Sequence, residues 1–358
     1  MDRRRPAAGS CAMSRLHVLD TIDQNGLLAV LDLSSARCSE VHCRMHPIAT
    51  DDASEAALPH AGENLLINKT TGQHRAAAPT GSLLLTSVPF GWRGIIVEQH
   101  RLPPMELAEH SVIGHGISVN VGAQPGTFAW TRGRDGWKDR PTNPGHCRIL
   151  THGESHPSRW FQTYNEVSLI LDPRFLADVV EDGLPADRIA FVTSDSVTDA
   201  AIANYAEAFR AELAADTPNG LLYAETLTIG LTLHLLANYG VAKPKVPAPR
   251  GKLTSFQLRS VVDFICPQLD QDLSLIALAR CARISPFHFA RLFRATVGLP
   301  PHQFVLRLRL QRATRLIRAG QLTLAQIATE CGFHDQPHFT RAFHRVFRMT
   351  PATYRRTR

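Results

Sequence analysis

Two stretches near the end of the chain set basic and amide side chains at helical spacing. "HFARLFRATVGLPPHQF" (288–304) and "HFTRAFHRVFRMTPATY" (338–354) share His, Phe, Arg, Phe and Pro at an offset of 50 residues, and Phe304 is answered by Tyr354. Phe289, Leu292 and Phe293 in the first, and Phe339, Ala342, Phe343, Val346 and Phe347 in the second, fall on one helical stripe and are predicted to be core. That leaves Phe287, Ala290, Arg291 and Arg294 facing outward in one copy. In the other copy Gln336, Pro337, Thr340, Arg341, His344 and Arg345 face outward. Arginine pairs with guanine, and glutamine with adenine, through two parallel hydrogen bonds in the major groove of DNA. Reading base edges and holding phosphates is the chemistry these residue types can do.

The elements that must carry them are also repeated. "LIALARCA" (275–282) parallels "LAQIATEC" (324–331) at an offset of 49, so each unit reads as a helix, a tight turn and a second helix, about 274–296 and 323–347. Ser274 and Thr323 stand at N-cap positions, and Thr323 with Gln326 forms the pattern of a capping box. Gly332 stands where a left-handed residue ends the first helix of the second unit. Ser285 before Pro286, and Asp335 before Gln336, restart the chain. Between the units "PHQFVLRLRLQRATRLIRAG" predicts one helix of about 18 residues, roughly 27 Å long. That length suits two helices in successive major grooves, which recur about every 34 Å. Ser285, Arg294, Arg307, Arg309, Arg315, His344 and Arg345 are the phosphate candidates.

Charge supports a polyanion partner. The 358 residues carry +7 formal charge, but residues 250–358 hold 18 basic and 5 acidic side chains against 21 and 27 in the rest. A basic module beside a mildly acidic one points to nucleic acid. No apolar run reaches the length of a membrane span, and the basic start lacks the apolar stretch of a secretory signal. Seven scattered cysteines without a C-x-x-C pair argue against a disulfide framework or a zinc finger. A cytoplasmic protein is expected.

The whole pattern from "LSLIALARCARISPFHFARLFRATVGLPPHQFVLRLRLQRATRLI" to "LTLAQIATECGFHDQPHFTRAFHRVFRMTPATYRR" resembles the double helix-turn-helix domain of the AraC/XylS family of bacterial transcription regulators. The resemblance implies that the second helix of each unit reads DNA. Phe287, Ala290 and Arg291 would be the base-facing set of the first unit, and Gln336, Pro337, Thr340 and Arg341 that of the second. It further implies promoter DNA and RNA polymerase as partners, a nucleoid location when bound, an activator more often than a repressor, and an N-terminal half that senses a small effector or mediates dimerisation. Two departures stand out: Pro337 where serine is common, and Arg348 where glycine is usual.

Upstream, "GVAKPKVPAPRGK" (240–252) reads as a linker, which sets 81–240 as one domain, 241–252 as the linker and 253–358 as the DNA-binding domain. Residues 1–80 are a poorly defined arm. Short apolar stretches over 83–171, "SLLLTSV", "GIIVEQH", "HGISVNV", "CRILTHG" and "VSLILD", predict antiparallel strands in a barrel or sandwich. Residues 197–214 and 220–239 predict a helical hairpin, read either as a buried flank or as a homodimer interface. The expected class is therefore α+β: an N-terminal antiparallel β-barrel with a helical hairpin, then an all-α double helix-turn-helix.

"PGHCRILTHGESHPSRW" (144–160) resembles the second signature of cupin barrels, with Thr151 where a proline is usual. His100, His110, His115, Trp130 and His156 are the candidates for an effector pocket. The alternative, a metal-dependent cupin-type enzyme with a basic DNA-binding tail, lacks the H-x-H pair: His110 and His115 lie five apart, which puts them on opposite faces of a regular strand. The reading is therefore a non-enzyme, with no cofactor and no metal.

Overall fold

The computed structural model describes residues 65–68, 74–76, 79, 81–132, 136–154, 157–179, 189–215, 219–241 and 251–357. Most of the N-terminal arm, most of the linker, and His156 lie outside the described residues.

The N-terminal half is rich in strands. A six-stranded antiparallel sheet runs β13 (Ser194–Thr198), β10 (His146–Leu150), β7 (His115–Asn120), β12 (Tyr164–Leu171), β4 (Ile95–Leu102) and β3 (Leu83–Thr86). Five of these contain the five apolar stretches. A second sheet has four strands, β5 (Met105–Leu107), β11 (Ser158–Trp160), β8 (Gly126–Trp130) and β9 (Lys138–Thr142). Pro141, which has no N–H for a ladder, falls on its edge strand. A third sheet is β2 (His74–Ala76), β1 (Leu65–Asn68) and β6 (His110–Val112). Among the described residues all three sheets are open, so the strands expected in a barrel appear as separate layers.

Register fixes what each face of the large sheet carries. In β12, Leu171 lies opposite both Ile95 and His115, whereas Glu166 lies opposite His100 and Asn120. Because sides alternate along a strand, one face presents Ile95, Val97, Ile117, Val119, Ile149, Val167, Leu169 and Leu171. These join one apolar core with Phe209 and Leu213 of α2 (Ala200–Ala214) and with Leu231 and Leu235 of α3 (Leu221–Tyr239). The other face carries Glu98, His100, Ser118, Asn120, Arg148 and Glu166, and it meets the second sheet where Arg148 stacks on Phe128 at 3.9 Å. A short helix, α1 (Pro173–Val179), follows β12.

In the hairpin Ile202, Phe209, Leu213, Leu231 and Leu235 are inside the shared core, while Tyr205 and Leu227 are half-buried against it.

The C-terminal half is helical: α4 (Ser255–Ile265), α5 (Leu275–Ala282), α6 (Pro286–Val297), α7 (Pro301–Ala319), α8 (Leu324–Glu330), α9 (Gln336–Phe347) and α10 (Pro351–Arg356). Its apolar residues divide unevenly. Leu275, Leu278, Phe289, Phe293, Phe304 and Val305 belong to the same continuous core as the N-terminal sheet and hairpin. Leu310, Ala313, Ile317, Ile327, Phe339 and Phe343 form a separate core. Helix α7 passes from one to the other.

Candidate nucleic-acid interface

Each helix-turn-helix unit is built by local chemistry. Ser285 Oγ accepts the His288 N–H at 3.3 Å, with Pro286 at the first position of α6. Asp335 Oδ1 accepts the His338 N–H at 2.7 Å to start α9. Pro337 sits in that first turn, where a missing N–H is tolerated. The turns before and after the second helices need a left-handed residue in both units. Arg283 (φ 55°) and Gly332 (φ 72°) end the first helices, and Gly298 (φ 79°) and Arg348 (φ 58°) end the second. Glycine is required at 332 for a second reason: a Cβ there would stand 2.3 Å from the Leu269 carbonyl oxygen.

The aromatic seam is interior. Phe289 and Phe293 lie 5.3 Å apart by ring centroid, Phe293 meets Phe304 at 5.3 Å, and Phe339 meets Phe343 at 5.6 Å. These rings orient the two helices and are unavailable to bases. Val346, placed on the same stripe by spacing, is 43 % exposed because α9 outruns its core near the C-terminal end.

The outward faces differ between the units. In α9, Gln336, Pro337, Arg341, His344 and Arg345 are exposed and Thr340 is half-buried. In α6, Phe287 is 5 % exposed, which corrects its placement on the outer face: its ring is covered by His288 at 5.4 Å and by the Arg291 guanidinium at 5.1 Å. Ala290 packs against the core, Arg291 is half-buried and Arg294 is exposed.

Of the remaining phosphate candidates, Arg315 is exposed and Arg307 half-buried. Arg309 is a second correction. Its Nε donates to the Leu269 carbonyl at 2.9 Å and its Nη2 to the Gln271 carbonyl at 2.8 Å. It therefore braces α7 against the loop before α5, with the guanidinium turned inward. Arg312 reaches Glu330 at 3.7 Å, and Arg318 donates to the Tyr354 hydroxyl at 2.8 Å.

Among the described pocket candidates of the N-terminal half, His100 and His115 do not come together. His100 and Trp130 are buried; His100 is on the polar face and bonded to Glu98 at 3.0 Å. His115 lies on the opposite face. Its Nδ1 accepts the His152 N–H at 3.1 Å and burial lowers its pKa to about 4, so it is a neutral packing residue. His110 lies in β6. Among the described residues no three His, Cys, Asp or Glu side chains are grouped to hold a metal ion. No helix among them is long and apolar enough to cross a membrane.

Two capped helix pairs on one connecting helix define the C-terminal half as a tandem helix-turn-helix module, and residues 278–357 match the family described as a helix-turn-helix domain. The chain is 35 % identical over 103 residues to the probable transcriptional regulator LumQ of Photobacterium leiognathi, covering 29 % of this chain and 42 % of LumQ. It is 33 % identical over 101 residues to the transposon Tn10 TetD protein of Escherichia coli, covering 28 % of this chain and 73 % of TetD. A solved structure of a transcriptional regulator with an AraC-type DNA-binding domain, from Chromobacterium violaceum, is 30 % identical, with 28 % of this chain and 90 % of that one covered and a TM-score of 0.27. The chain belongs to the AraC-type helix-turn-helix regulators.

Proposed function

We propose that the chain is a sequence-specific, promoter-binding transcription regulator, an activator working with RNA polymerase, which places α6 and α9 in successive major grooves. The observation that carries this is the pair of capped helices joined by the 19-residue α7, about 28 Å long at about 1.5 Å per residue. Gln336 and Arg341 on α9 supply base-reading groups, and Arg294, Arg315, His344 and Arg345 supply phosphate contacts. Arg291 holds its charge beside them. Such a protein works in the cytoplasm on the nucleoid and needs no cofactor.

The N-terminal half is the control element. A small effector would be read between the two larger sheets, on the polar face that carries His100, Arg148, Tyr164 and Glu166, opposite Phe128 and Trp130. The open space beside Arg148 measures about 10 Å³, so entry there displaces side chains. The metal-enzyme reading needs His110, His115 and His156 together, and His115 is turned to the apolar face with its Nδ1 taken by the His152 N–H.

The test is selection and sequencing of genomic fragments bound by the full chain near physiological salt. Two half-elements about one helical turn apart, beside promoters, are the expected result. Recovery of DNA with no motif would overturn sequence-specific reading.

A further inference from the structure

The two units cap their leading helices differently. In α8, Thr323 Oγ1 accepts the Gln326 N–H at 3.2 Å while Gln326 Oε1 accepts the Thr323 N–H at 2.9 Å. In α5, Ser274 Oγ accepts the Ala277 N–H at 3.1 Å, but residue 277 is alanine and has nothing to give back. The acceptor for the first turn comes from the other half of the chain. Glu225 of α3 is fully buried, and its Oε2 accepts the Leu275 N–H at 2.6 Å; the carboxylate also accepts from the Ile276 N–H.

A carboxylate suits a helix N-terminus, where the unpaired N–H groups carry partial positive charge. Burial works against the charge and raises the Glu225 pKa, opposed by the Leu275 N–H, the charge of Arg93 and the Ile276 N–H. Two residues earlier, Tyr223 sets its ring edge-on to His302 of α7 at 5.0 Å. One turn of α3 thus grips both the leading helix of the first unit and the start of the connecting helix.

The second unit touches this region more lightly: the Gly332 turn packs against the Leu269 carbonyl, and Arg345 of α9 acts through its charge on Glu212 of α2. Helix α7 passes gradually from one core to the other: Leu308 still packs against the shared core and Leu306 already packs against the second. At the crossing lies a cleft of about 50 Å³, with Leu222, Leu273 and Val305 on one side and Leu306, Phe333 and His338 on the other. Neither ring nitrogen of His338 has a hydrogen-bond partner among the described residues. The hairpin therefore holds the first unit by the Glu225 cap and a shared core, and meets the second unit across this cleft.

We infer that Glu225 is a positioning residue for DNA reading: by capping α5 it fastens the first helix-turn-helix unit to the N-terminal hairpin, so that the N-terminal half sets the angle between α6 and α9. This rests on the two-groove reading above. Two helices held at one angle accept one spacing of half-elements; a loosened first unit accepts several.

The test uses the full chain and the motif it selects from random duplexes. Binding is measured on duplexes whose half-elements are moved apart or together in single base-pair steps, and on a duplex with only the element bound by the second unit. Wild type should show one sharp optimum. Glu225→Gln should lose about tenfold at that optimum, the scale of one charge-assisted hydrogen bond, and should bind neighbouring spacings nearly as well. Tyr223→Ala should move the same way by about threefold, as loss of one ring contact would. Binding to the single-element duplex should stay within about twofold in all three proteins, since the second unit keeps its own core. A Glu225→Gln protein that keeps the wild-type thermal midpoint and the wild-type spacing profile would overturn the inference. If Glu225→Gln does not fold, the spacing profile of Tyr223→Ala decides alone. If wild type selects a motif with one element only, the two-groove reading falls and this inference falls with it.

Discussion

The first and second helix-turn-helix units descend from one pattern, yet they are set in different surroundings. The first shares its core with the N-terminal sheet and hairpin, and its leading helix is capped by Glu225; the second has its own core and its own Thr323 and Gln326 cap. The same divergence shows on the outer faces, where Phe287 is covered and Arg291 leans on it, while Pro337 and Arg341 stand in solvent. Duplication preserved the local geometry, and burial redistributed the work. The outer face of the first unit is the more covered of the two, and that of the second the more open.

The comparison can be broken or sharpened by experiment. Phe293→Ala and Phe343→Ala remove equivalent buried rings and should each cost about 3 to 5 kcal/mol. Calorimetry should show the loss from Phe343→Ala in a separate transition of the second unit, and that from Phe293→Ala in the transition shared with the N-terminal half. A single common transition shifted alike by both would erase the distinction.

His338 should make the second unit acid-sensitive. Burial, and next the charge of Arg341, lower its pKa from 6.5 to about 4. The unfolded chain takes up that proton near 6.5 while the folded chain resists it, so stability falls as pH drops from 6.5 towards 4 and levels off below. Thermal melts across that range should show the slope in wild type and a reduced slope in His338→Gln.

At the reading surface, Arg341→Ala should cost about 1 to 3 kcal/mol on the selected motif and much less on unrelated DNA. Arg291→Ala, being half-buried on Phe287, should cost less than about 1 kcal/mol. Equal losses in the two would return the first unit to an equal share in base reading. Arg348 holds the left-handed position that Gly298 fills in the first unit. Arg348→Gly should stabilise the second unit by about 1 kcal/mol in a chemical melt.

Much of the C-terminal half was legible because its signals are local. Ser274, Ser285, Thr323 and Asp335 cap as their positions suggested, since a cap depends only on residues within one turn. The strands of the large sheet were legible from their short apolar runs. The α4 helix was missed, although Thr254 and Gln257 form a capping box at its start. Phe287 and Arg309 were misplaced, because spacing tells which face a side chain leaves from and not what lies over it.

For this protein the sequence by itself determined the repeat, the caps, the connecting helix and the basic face, all set by interactions within a few residues along the chain. Tertiary structure alone decided that His100 and His115 part to opposite faces of one sheet, that Arg309 turns inward to two carbonyls, and that the apolar core divides along α7. Each of these depends on strand register or on a contact across tens of residues, such as Glu225 with Leu275, and no spacing within a single helix encodes such a contact.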